Sequence, residues 1–308
     1  MAPSRRRGCR DGAGLHRVAL TALRVTALLL TVLGSHSAHA APTPELDARV
    51  AAAVQKTRDL TVVYTDPLGE GSGTDPDPRV PGAEVDCMTW VQWVLALATG
   101  PEVSAPERLD ALRYYGGQVG FRTRKHYLDR WLAWEPGPLA AVDLSTHPAR
   151  QTHRVELEPV LLRAARGERC RLWREDARTF EAVYLPADDL LADAASWEPG
   201  WYVLTGVATD KYLGMYGQEV GPMGQVHLFL LDATAAGRDG RAPADWTLWH
   251  ASTLRGVVFE DRLGRLLGNT RTIYRGFVPY RVTASAPAPP PSLDPPLEAC
   301  GGPTDPPG

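Results

Sequence analysis

The chain has few cysteines and no patterned ones. Four occur in 308 residues, at positions 9, 87, 170 and 300. No C-x-x-C pair or His/Cys cluster carries zinc-ligand spacing, so no structural metal and no cofactor is expected. Beyond the first residues there is no block of basic side chains, which argues against nucleic acid as a partner. No apolar run is long enough to cross a bilayer comfortably. Internal repeats are also lacking, which excludes solenoids. What remains, 44% hydrophobic and 22% charged residues with formal charge −3, is ordinary globular composition. The length allows one large domain or two small ones with ample core.

The ends are unlike the middle. Arg5, Arg6, Arg7, Arg10 and Arg17 precede a short apolar stretch, Val25 to Gly34, and Ala38-His39-Ala40 has the A-x-A form of a cleavage site. Residues 1–40 therefore read as a secretory signal peptide cleaved near Ala40, giving a periplasmic or secreted protein with no membrane span in the mature chain. Removing them takes out six arginines and one aspartate, so the formal charge moves to about −8. Residues 41–283 form the expected domain, and the Pro-rich stretch 284–308 is expected to be a disordered tail. After export an odd number of cysteines remains. Cys170 could pair with Cys300 and leave Cys87 free, although spacing does not fix that pairing.

One stretch organises the rest. Asp86-Cys87-Met88-Thr89-Trp90-Val91-Gln92-Trp93-Val94-Leu95-Ala96-Leu97-Ala98 opens polar and continues apolar on more than one face. That predicts a buried central helix, with Asp86 or Glu84 as its N-cap. Cys87 falls in the first turn, where unpaired amide groups favour a thiolate and can lower the thiol pKa. Further helices are predicted over 44–59, 106–115 and 186–195. Strands are predicted within 152–162, 182–185, 201–207, 225–231, 247–252, 256–259 and 272–282. A polar hairpin insertion is predicted over 235–245, a Gly-rich turn over 214–224, and a Gly/Pro-rich loop from 64 to 82.

A thiol nucleophile needs a base, and the base needs an orienting group. His227 heads one predicted strand and His250 lies on another. Paired as an antiparallel hairpin, these strands put both rings on one face, near a sheet that packs on the Cys87 helix. His227 is the expected base and His250 the group that fixes its tautomer through the distal nitrogen. Asp232 is the second choice for that role. The basic and aromatic block from Arg124 through His126 and Tyr127 to Trp131 suggests a cleft wall for an anionic or sugar-bearing ligand, or a solvated amphipathic face.

The order of motifs resembles the N-acetylmuramyl-L-alanine amidase-like family, within the NlpC-type papain-like cysteine amidases of bacterial cell walls. The residues carrying it are Pro67-Leu68-Gly69-Glu70-Gly71, Asp86-Cys87-Met88-Thr89-Trp90-Val91, the Arg124–Trp131 block and His250-Ala251-Ser252. The resemblance implies a papain-like α+β fold, with the nucleophile helix packed on an antiparallel sheet. It implies hydrolysis of the N-acetylmuramyl-L-alanine bond in peptidoglycan or muropeptides; a monomer is expected. Cys87, His227 and His250 would be catalytic, and Asp86, Arg124, His126 and Tyr127 would face substrate. A stem-peptide endopeptidase and a non-catalytic peptidoglycan-binding module are the alternatives.

Overall fold

The structure is a computed structural model. It describes residues 43–63, 68–71, 77–120, 123–125, 128–132, 137–157, 160–163, 172–175, 178–212 and 225–284. The expected signal peptide, Cys170, Cys300, His126, Tyr127, the turn region 214–224 and residues 285–308 lie outside them.

Helix α1 spans Pro44–Thr57. Thr43 caps it by accepting the Leu46 amide hydrogen, with proline at the first helical position, acids in the first turn and Lys56 in the last. Leu46, Val50, Ala53, Val54 and Thr57 form its buried stripe.

Helix α2 runs Cys87–Ala98. Of the two possible caps, Asp86 is used. Thr89 N donates to Asp86 Oδ1 at 2.7 Å while Asp86 N donates to Thr89 Oγ1 at 2.9 Å, a reciprocal capping box. The helix contains no charged side chain, and its buried residues include Trp90, Val91, Val94 and Leu95, all fully enclosed. The Trp90 indole N–H donates to Thr57 Oγ1 at 2.9 Å and so ties α2 to α1. Trp90→Ala is expected to cost about 3–5 kcal/mol through the cavity it leaves. A urea midpoint unchanged in that variant would contradict this packing.

Helix α3, Ala105–Arg113, packs on α2, and a short α4 covers Leu128–Leu132. The strands are β1 Thr61–Val62, β2 Glu84–Val85, β3 Leu139–Ala141, β4 Gln151–Leu157, β5 Val160–Arg163, β6 Leu172–Glu175, β7 Arg178–Pro186, β8 Gly200–Ala208, β9 Gln225–Ala233, β10 Thr247–Ser252, β11 Val257–Arg262 and β12 Tyr274–Val282. Ten of them make one sheet in the order β2-β1-β11-β10-β9-β8-β12-β7-β4, with β3 also on β12. All its pairings are antiparallel except β1 with β2. Strands β5 and β6 form a separate hairpin.

Both faces of the sheet centre are covered, so β8 is buried along its whole length. One face presents Trp201, Val203, Leu228, Leu230 and Ala251 to α1 and α2. The other presents Tyr202, Leu204, Phe229, Leu231, Leu248 and Phe277 to α5 (Ala187–Ala194) and α7 (Leu263–Thr270). The expected mixed α+β class with a mostly antiparallel sheet is what the structure has.

Several sequence expectations change: the strand expected within 152–162 is two, β4 and β5, and β3, β6 and α4 are additions. The stretch 235–245 is not a plain hairpin loop. It holds a one-turn helix α6, Ala235–Arg238, capped by Thr234, and a 3-10 turn at Pro243–Asp245. Helix α7 and the two-residue strands β1 and β2 were not expected. Glycines dilute the apolar stripe of α7, and two-residue strands carry no period.

Candidate active site

His227 and His250 meet beyond the paired stretch of β9 and β10. These strands pair at Leu231↔Leu248 and Leu230↔Trp249 and at no further position, although β9 begins at Gln225 and β10 continues to Ser252. A bulge interrupts the β8–β9 register between Gly206↔His227 and Val207↔Gln225. Bulges re-aim side chains and are frequent beside active sites.

Within this wedge His227 Nε2 lies 3.2 Å from His250 Nδ1, both rings buried. The rings are perpendicular, with centroids 5.4 Å apart. Phe229 supports both, at 4.6 Å from His227 and 5.0 Å from His250, and Phe259 lies 4.1 Å from His250. Burial pushes the His227 pKa down to about 3, helped by its neighbour His250. Burial likewise takes His250 down to about 4, with Arg255 and Arg265 adding to the effect and Asp261 opposing it. Both imidazoles are therefore neutral at physiological pH.

Cys87, 8% exposed, sits at the start of α2 on the opposite face of β9. Its sulfur faces the backbone N–H of Leu228, next in chain to His227, and those of Met88 and Cys87 itself. These donors favour the thiolate, but burial outweighs them and Asp86 adds to it, so the thiol pKa is raised rather than lowered. The helix-terminus argument had the right sign for one contribution and the wrong sign for the total. Among the described residues the sulfur's hydrogen bonds go to backbone, not to an imidazole.

The face assignment is a second difference. Both histidines do share one face of an antiparallel pair, but they share it with Phe229 and Leu231, not with the residues that meet α2.

Asp86 and Arg124, expected to face substrate, hold structure in place. Asp86 Oδ1 is occupied by the capping box. Arg124, 4% exposed, donates to the Leu68 carbonyl. Arg113 Nη2 donates to the same carbonyl at 2.7 Å, and Tyr114 Oη donates to the Gly69 carbonyl at 2.9 Å. Together they pin the Leu68 and Gly69 carbonyls. Lys125 Nζ donates to the Leu112 carbonyl at 3.0 Å, and burial lowers its pKa to about 7. Asp232 accepts from Thr234 N and Thr234 Oγ1 at the far end of β9, so it orients the turn and not His227.

Sequence reasoning missed Phe229, Phe259 and the Arg113–Tyr114 clamp. Phe229 was findable, because residues two apart on a strand share a face. The others depend on pairings distant in sequence.

A single long, mostly antiparallel sheet with helices on both faces defines a mixed α+β protein. The chain belongs to the AmiA-like family, described as N-acetylmuramoyl-L-alanine amidase-like, whose model matches residues 61–273. Two solved structures share the fold. A DUF1460-family protein from Legionella pneumophila superposes with a TM-score of 0.62 at 17% identity, covering 86% of this chain and 96% of that one. An N-acetylmuramoyl-L-alanine amidase from Bacteroides uniformis gives a TM-score of 0.53 at 18% identity, covering 78% and 99%. None of the curated proteins is recognisably similar to the chain.

Proposed function

We propose that the protein is an exported cysteine amidase of the papain-like, NlpC type. It would hydrolyse the bond between the lactyl group of N-acetylmuramic acid and L-alanine, in peptidoglycan or its fragments. Family membership supports the substrate class and, with it, an extracellular or periplasmic site of action. The mechanism is supported by chain adjacency: the residue whose amide faces the Cys87 sulfur is next to His227. Cys87 sulfur faces the Leu228 amide, and the adjacent His227 ring is bonded to His250.

The thiol and imidazole begin neutral. Cys87 sulfur attacks the amide carbonyl carbon while its proton passes to His227 Nδ1. That transfer requires His227 Nε2–H donating to His250 Nδ1, so His250 sets the tautomer. Contacts of this kind commonly tighten only when substrate binds. The imidazolium then protonates the alanine nitrogen, the C–N bond breaks, and a thioester remains on Cys87. Water, deprotonated by His227, cleaves the C–S bond and releases the lactyl carboxylate. Asp86 and Arg124 serve by fixing α2 and residues 68–71; His126 and Tyr127 remain the proposed substrate contacts. No cofactor enters this scheme, and a monomer suffices for it.

The test is mass spectrometry of a defined muropeptide after digestion. Amidase action releases the intact stem peptide with a free L-alanine amino terminus. Cleavage within the stem would instead establish the endopeptidase alternative. Binding without any product would leave a peptidoglycan-binding module.

A further inference from the structure

A hydrogen bond between two neutral histidines ties their tautomers together. With His227 Nε2–H donating to His250 Nδ1, His250 carries its own proton on Nε2. That nitrogen is buried and has no hydrogen-bond partner among the described residues. An enclosed N–H without an acceptor is costly, so its surroundings matter.

The β10–β11 ladder shows what lies beside it. Leu248 stands opposite Asp261 and His250 opposite Phe259, so these four side chains form one patch on one face of the sheet. The Phe259 ring lies 4.1 Å from the His250 ring. Asp261 is the diagonal neighbour of His250, at roughly 7 Å across the strands, a span that an imidazole, one water and a carboxylate fill. The carboxylate is held in place and only 10% exposed. Its Oδ1 accepts from Arg262 N at 2.6 Å and from Arg265 Nε of α7. Oδ2 has no hydrogen-bond partner among the described residues. Of the charged side chains acting on His250, namely Asp261, Arg255 and Arg265, only Asp261 is negative. The Arg255 guanidinium lies over the far partner, Phe259, at 5.2 Å from its centroid.

We propose that Asp261 is a positioning residue whose Oδ2 accepts, through one bound water, the hydrogen bond donated by His250 Nε2–H. This rests on the thiol-amidase reading and adds a fourth member to it. The bridge holds His250 in the Nε2–H tautomer and leaves its Nδ1 as an acceptor. His227 then keeps its proton on Nε2 and offers Nδ1 as the base. Asp261 takes up no proton. Its charge steadies the imidazolium that forms on His227 and polarises His250.

The first test needs no substrate. Ring 15N spectra of the full chain, with His250 assigned through His250→Gln, are expected to show His250 protonated at Nε2 and that proton protected from exchange with solvent. Asp261→Asn keeps the shape and removes the charge, and the protection is expected to be lost. On a defined muropeptide, kcat of Asp261→Asn is expected to fall about 10–100-fold with KM nearly unchanged, and Asp261→Glu to recover part of the loss. Glu260→Gln removes one charge from the next residue, on the other face, and is expected to leave spectra and kcat as in the wild type. His250 protonated at Nδ1 in the wild type overturns the proposal, even if Asp261→Asn does not fold. Protection that survives Asp261→Asn, or an unchanged kcat, also overturns it. Hydrolysis that survives Cys87→Ser at the wild-type rate overturns the thiol reading itself, whereas Cys87-dependent hydrolysis indifferent to Asp261→Asn overturns this inference alone.

Discussion

Cys87→Ser is expected to lower amide hydrolysis by about 10³-fold or more while the folded structure persists. Serine is close to isosteric with cysteine, and its hydroxyl can accept from the same Leu228 and Met88 amide groups that face the sulfur. The capping box that starts α2 is made by Asp86 and Thr89 and is untouched. A thermal midpoint within a few degrees of the wild type is therefore expected beside the lost activity. The difference in chemistry is large because a serine hydroxyl gives up its proton far less readily than a thiol, and His227 is held as a weak base by its burial. Cys87→Ala in the same assay separates the residual action of serine from background. If Cys87→Ser digests muropeptide at the wild-type rate, the sulfur is not the nucleophile and the scheme through His227 falls with it.

The burial that weakens these groups as acid and base also explains what the sequence could and could not reveal. Helix α2 was legible because a capping residue precedes twelve residues without a charge, which no solvent-facing helix tolerates. The β9–β10 pairing was legible because two β-rich runs flank a polar insertion, and histidines fall near the open end of both. Which face those histidines occupy was not legible. Leu228-Phe229-Leu230-Leu231 is apolar at every position, since the sheet centre is covered on both sides. A strand buried on both faces has lost the alternation from which a face is read. The thiol pKa was misjudged for a related reason. The helix start is visible in sequence, but the degree of enclosure around Cys87 is a tertiary property. Arg124 looked like a ligand contact because its partner is a backbone carbonyl in residues 68–71, and a carbonyl leaves no mark in a sequence. Tyr274 and Gly206 illustrate the same limit: the fit of one over the other joins strands 68 positions apart.

His227→Gln is expected to reduce turnover by about 10²–10⁴-fold, the range for removal of a general base, with a smaller loss for His250→Gln, which touches only the base. Both substitutions also carry a signature in stability. Each histidine is held neutral in the fold, at about 3 and about 4 against 6.5 for a free imidazole. Below 6.5 the unfolded chain takes up protons that the folded chain refuses. The stabilisation from keeping the rings neutral is complete above pH 6.5 and is lost as the pH falls toward the folded values. Between pH 7 and pH 4.5 the pair is expected to account for a loss on the order of 4 kcal/mol, or a drop of roughly 10 °C in the thermal midpoint. The double variant His227→Gln/His250→Gln removes both titrating groups. Its stability at neutral pH is lower, because glutamine fits the Phe229–Phe259 enclosure poorly, yet its acid decline is shallower than that of the wild type. Carboxylates elsewhere titrate in both proteins and cancel in the comparison. Parallel acid limbs for the two proteins would mean that these rings take up protons in the folded state near the ordinary value. In that case the wedge between β9 and β10 is open to water, and the starting pair for catalysis is not the neutral thiol and imidazole described above.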